Sequence, residues 1–238
     1  MVQARWTLKL YPAAGEGGGC LVVPRREGSG RRPDSGRAAA EAGRRARGKV
    51  RRYCAANRLN RLGTLTYAGA GCHEPARLRA DVGGFFRGLR AEIGAGALPY
   101  VWVPQWHPGG HGLHVHFAVG RFVPRRLIER SWGRGFVHIK LLSGLPTGSS
   151  ERAESRLAAR YLSRYVGREL DDARRASGLH RYEVAQGFQP QPVECYGASA
   201  GDVIERASGL VGSRPERVWL SSETEGWHGP PACWAQWS

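Results

Sequence analysis

No run of apolar residues in this 238-residue chain approaches the length of a membrane span, so a helical membrane protein is excluded. The first ten residues, Met1–Leu10, lack the apolar stretch of a secretory signal, and a cytoplasmic location is expected. No Cys-x-x-Cys pair occurs among Cys20, Cys54, Cys72, Cys195 and Cys233. An odd count without pairs fits neither a zinc ribbon nor a disulfide framework, and free thiols in a reducing compartment are expected. No glycine-rich segment ends in Gly-Lys-Ser/Thr, which removes a phosphate-binding P-loop, and no Ser-His-Asp arrangement competes for a catalytic role. There is no internal repeat.

Acidic residues are also scarce. The 36 Lys and Arg outnumber the 20 Asp and Glu, for a formal charge of +16. Such an excess points to a polyanionic partner, nucleic acid before an acidic membrane. A competing source exists: Ala, Gly and Pro are abundant beside Arg, the pattern that GC-rich coding imposes regardless of function.

The texture divides the chain in three. Residues 1–52 are rich in Gly, Ala and Arg and read as a flexible basic arm, with the dense run from Arg44 to Arg52 either solvated or bound to phosphates. Residues 53–190 carry regular periodicity. Residues 191–238 form a Pro- and Gly-rich tail whose Trp219, Trp227, Trp234 and Trp237 either dock it or stack on bases.

In the middle region, β-branched and aromatic content predicts strands at 62–67, 100–106, 113–119 and 135–142. Apolar spacing predicts helices at 75–93, 123–132 and 151–170. The order β-α-β-β-α-β-α implies an α+β fold, a central antiparallel sheet with helices on one face.

Two constellations carry chemistry. His114-Val115-His116 lies in a predicted strand, so both imidazoles point to one face and can grip one divalent cation. A hairpin would bring the preceding strand alongside, offering Gln105, or alternatively His107, as a third ligand. Tyr161 and Tyr165 stand four apart on a predicted helix and share its face, among Arg160, Arg164 and Arg168. They are either core aromatics or nucleophiles. A cation that polarises a phosphate, guanidinium groups that hold it and a phenol that attacks it would together make a strand-transfer reaction.

These motifs, Thr64-Leu-Thr-Tyr67, His114-Val-His116 and the stretch Tyr161 to Arg168, stand in the order found in the HUH endonuclease superfamily. The chain over residues 50–190 resembles the rolling-circle replication initiators of plasmids and single-stranded DNA phages. The resemblance implies a five-stranded, palm-like (RRM-related) sheet, and one Mg²⁺ or Mn²⁺ held by His114, His116 and a third polar residue. It implies site-specific nicking and joining of single-stranded or origin DNA, a 5′-phosphotyrosine on Tyr161 or Tyr165, and a free 3′-hydroxyl. Thr64, Thr66, Arg51, Arg52, Arg160, Arg164 and Arg168 become DNA contacts. Relatives often have Glu where Gln105 stands. No helicase motif is present, so a helicase and a polymerase of a bacterial host cell are the expected partners, with no membrane and no organic cofactor. A transposase or relaxase-like nickase uses the same chemistry, and a catalytically inactive DNA-binding module is the alternative from another class.

Overall fold

The structure, a computed structural model, describes residues 4–23, 35–94, 96–142, 145–168 and 179–238. In chain order these form β1 (Arg5–Tyr11), β2 (Glu16–Val22), α1 (Ser35–Ala56), β3 (Arg61–Tyr67) and α2 (Pro75–Glu92). Next come β4 (Tyr100–Trp106), β5 (Leu113–Val119), α3 (Arg125–Trp132), β6 (Gly135–Lys140) and α4 (Glu151–Arg168). The last are β7 (Glu183–Val184), β8 (Val193–Gly197), α5 (Ala200–Val211), β9 (Arg217–Leu220) and β10 (Ala232–Gln236). The class is α+β, as the alternating pattern predicts, with two antiparallel five-stranded sheets among the described residues. No described helix is long and apolar enough to cross a membrane. All five cysteines are free.

Contacts divide the chain into two units, residues 35–189 and residues 1–34 with 190–238. The larger unit holds the sheet β6-β3-β5-β4-β7. Every residue of β5 is buried, which requires cover on both faces of the sheet. Leu65, Trp102, Val115 and Phe117 face α2 and α3, where Val82, Phe85, Leu89 and Trp132 fill the gap. A Cβ on Gly63 would stand 2.4 Å from the Phe117 ring, so glycine in β3 makes room for that ring. Leu62, Val101, Val103 and Ala118 point the other way, against Val50, Tyr53, Ala158, Leu162 and Val166 of α1 and α4. Helices therefore lie on both faces, not on one as the predicted order suggests. The extra layer comes from α1, whose apolar positions Ala46, Val50, Tyr53 and Cys54 recur at helical spacing within the basic run.

The smaller unit corrects the two ends. Where composition predicts a flexible arm and a tail, β1 and β2 pair with β8 and β10 into the sheet β8-β1-β2-β10-β9, with α5 packed against it. Two strands alone are marginal in water, so the ends become stable only together. The run Gly17–Gly19, which resembles a loop, is strand interior: a Cβ on Gly19 would lie 2.2 Å from Thr7 O. Trp237 is fully buried and donates from Nε1 to Ser208 Oγ at 3.2 Å.

Candidate metal centre and tyrosine pair

The site lies on the α4-facing side of the larger unit's sheet. Antiparallel register sets Gln105 opposite His114 and Val103 opposite His116. Thr64 stands opposite His116 on the other side. His114 Nε2 lies 3.2 Å from His116 Nε2, which lies 2.8 Å from Gln105 Oε1. Both imidazoles are buried and held neutral, because desolvation disfavours the charged ring. The pKa of His114 falls to about 4 by burial and by nearby His107, and that of His116 to about 3 by burial and by His114.

Two N–H groups facing each other at 3.2 Å would repel, so the three converging atoms share at most one proton between them. A cation completes such a cluster of lone pairs. Thr64 Oγ1 lies 2.9 Å from His116 Nδ1. If that nitrogen carries the ring proton, Nε2 is left as a lone pair aimed at the cluster. His114 Nδ1 is buried with no hydrogen-bond partner among the described residues. Two nitrogens and one amide oxygen leave positions open for water and substrate. No group of three His, Cys, Asp or Glu occurs among the described residues, so Gln105 is essential to a three-ligand set here. His107 stands beyond the strand end and is exposed. Its Nδ1 accepts from Gly109 N at 3.1 Å, so in the neutral ring the other nitrogen carries the proton, and it is the poorer ligand.

Helix α4 brings the tyrosines over this cluster. Asn60 Nδ2 donates to Glu154 Oε2 at 2.6 Å, tying the first turns of α4 to the start of β3. The Tyr165 ring stacks on His116 with centroids 3.7 Å apart, and Tyr161 meets the same imidazole edge-on at 6.2 Å. The Tyr165 hydroxyl donates to Tyr161 Oη at 2.8 Å, so the two oxygens occupy one place. Tyr161 borders a cleft of about 400 Å³ lined also by Lys140, Arg160 and Arg164. Lys140, which sequence patterning did not single out, holds Nζ 5.9 Å from the centre of the Tyr161 ring. Its position in β6 is read only from register, which sets Lys140 opposite Leu62.

The remaining candidates are dispersed. Arg160 and Arg164 are exposed beside the cleft, while the Arg168 side chain lies outside the described residues. Thr66 donates to Phe136 O at 3.3 Å. Arg51 and Arg52 are half-buried on α1, and Arg52 is near enough to Tyr182 to favour its phenolate against the stronger opposing effect of burial. Tyr67 is on the other face of the sheet, donating to Asp81 Oδ2 at 2.9 Å, with a pKa raised first by burial.

Residues 60–170 match the model of a family of replication-associated proteins, the ORF2 type. No curated protein and no solved structure shows significant similarity to the chain. The matched stretch contains His114, His116, Gln105 and both tyrosines, and it supports a Rep-like protein of DNA replication whose partner is DNA.

Proposed function

We propose that this protein initiates rolling-circle replication by nicking and rejoining single-stranded DNA through tyrosine attack. The observation that carries the proposal is the convergence of three metal-competent atoms and two mutually bonded phenols on one sheet face. His114, His116 and Gln105 would hold one divalent cation, and imidazole nitrogens suit Mn²⁺ better than Mg²⁺, which prefers oxygen ligands. When bound, the cation polarises the scissile phosphate and offsets the charge that grows during transfer. Arg160, Arg164 and Lys140 would hold the DNA backbone at the cleft.

The Tyr165 hydroxyl donates to Tyr161 Oη, which favours charge on the Tyr161 oxygen and makes Tyr161 the first attacker. The phenol oxygen bonds to phosphorus as the bond from phosphorus to O3′ breaks. The proton that the phenol loses is balanced by the one the departing O3′ gains. The products are a 5′-phosphotyrosine and a 3′-hydroxyl, which a host polymerase extends while a host helicase unwinds the duplex. The reverse step rejoins the strand.

The test is a nicking assay on single-stranded DNA with Mn²⁺ or Mg²⁺, scored for a covalent protein–DNA adduct. The adduct should disappear in excess chelator and in the Tyr161→Phe/Tyr165→Phe double variant, and Tyr161→Phe should impair the first cleavage more than Tyr165→Phe. An adduct that survives the double variant or the chelator would refute the assignment.

A further inference from the structure

Strand β6 is an edge of its sheet, and Phe136 on it is 71% exposed. A large bare aromatic on an edge strand invites unwanted association, and its place in the register suggests what it serves. Phe136 stands opposite Thr66 and His138 opposite Thr64, so both lie on the face that carries His116. The alternation continues to Lys140, and His138 and Lys140 are exposed as well. Along β6 the same face therefore presents an aromatic ring, an imidazole and an ammonium, ending at the cleft that Tyr161 borders. Strands β6 and β5 are separated by β3 alone, which sets Phe136 roughly 10 Å from the row of metal-competent histidines. That is far enough to engage a nucleotide beside the attacked phosphate and too far to engage that phosphate itself.

We propose that β6 is the track on which the DNA strand lies, with one base stacked on Phe136 and its backbone drawn along His138 and Lys140 toward Tyr161. The inference rests on the nicking role proposed above and adds to it the surface that fixes which nucleotide reaches the nucleophile. Charge favours single-stranded DNA as the occupant. The unit that contains β6 holds the whole cationic excess of the chain, with 27 Arg or Lys against 11 Asp or Glu. Unstacked bases expose their faces to such a platform, whereas duplex bases do not.

The experiment uses the full chain in excess chelator, so that no cleavage intervenes, and a fluorescent single-stranded oligonucleotide read by anisotropy. Phe136→Ala should weaken binding about 5- to 150-fold, the range for loss of one stacked base, and Phe136→Leu nearly as much. Phe136→Trp should bind at least as well as the parent chain. An abasic site moved along the oligonucleotide should erase the difference between parent and Phe136→Ala at one position. Equal affinity of the Ala or Leu variant and the parent would overturn the proposal. So would the lack of any such abasic position, or a concentration-dependent dimer abolished by Phe136→Ala while DNA affinity is unchanged. A parent chain that nicks DNA while Phe136→Ala binds normally would sink the stacking track alone. A parent chain that binds no single-stranded DNA would sink the replication role with it.

Discussion

The two units differ most in charge. Residues 35–189 hold 27 Arg or Lys and 11 Asp or Glu, whereas residues 1–34 with 190–238 hold nine of each. The full +16 thus belongs to the unit that carries the histidines and tyrosines. GC-rich coding would enrich Arg along the whole chain, and in the smaller unit acidic residues cancel that enrichment. The imbalance is kept only around the candidate site, as expected where a polyanion must be gathered. The smaller unit is instead a neutral sheet and helix around Leu8, Leu10, Val203 and Trp237, and it lies outside the matched residues 60–170.

The sharpest way to break this contrast is to unfold one unit without the other. Trp237→Ala removes a fully buried indole and should destabilise the smaller unit by about 3–5 kcal/mol. Denaturant melts of the full chain should show one transition shifted, while nicking by the larger unit continues below that transition. Loss of nicking together with the melt would mean that catalysis depends on both. A smaller effect is expected at Thr64→Val, which deletes the oxygen 2.9 Å from His116 Nδ1. Mn²⁺ affinity by calorimetry should fall roughly 10- to 100-fold, the usual cost of losing a partner behind a ligand. An unchanged affinity would separate Thr64 from the metal. The smallest effect concerns salt. Arg160→Gln/Arg164→Gln should reduce the slope of log affinity against log salt by about 1.4 in magnitude, at about 0.7 per phosphate contact on single strands. Arg5→Gln/Lys9→Gln in the neutral unit should leave that slope unchanged, and equal losses in the two pairs would erase the distinction between units.

Much of the site is legible before folding because it depends on local periodicity. Alternation along a strand sets His114 and His116 on one face, and helical spacing sets Tyr161 and Tyr165 on another. Both patterns persist in β5 and α4, since each element's own geometry defines its faces and needs no distant partner to do so. The hairpin likewise follows from Pro108-Gly-Gly110 between two apolar runs, and it puts Gln105 opposite His114.

The ends are not legible in that way. Gly17–Gly19 and the Pro-rich segment after residue 190 have loop composition, yet they pair as strands because chains from opposite ends of the sequence meet there. Helix α1 is hidden by its Arg content, which outweighs the stripe of Ala46, Val50, Tyr53 and Cys54 that it buries.

By itself the sequence determined the chemistry-bearing pairs, the antiparallel α+β class and the cationic character, all properties of composition or of short-range periodicity. Only the tertiary structure decided that helices cover both sheet faces, that the two ends build one unit, and that Gln105 rather than His107 meets the histidines. It also decided that Lys140 and Phe136 share the face of the candidate site. Each of these depends on which strands become neighbours, and strand pairing rests on contacts between residues far apart in the chain, which no local pattern records.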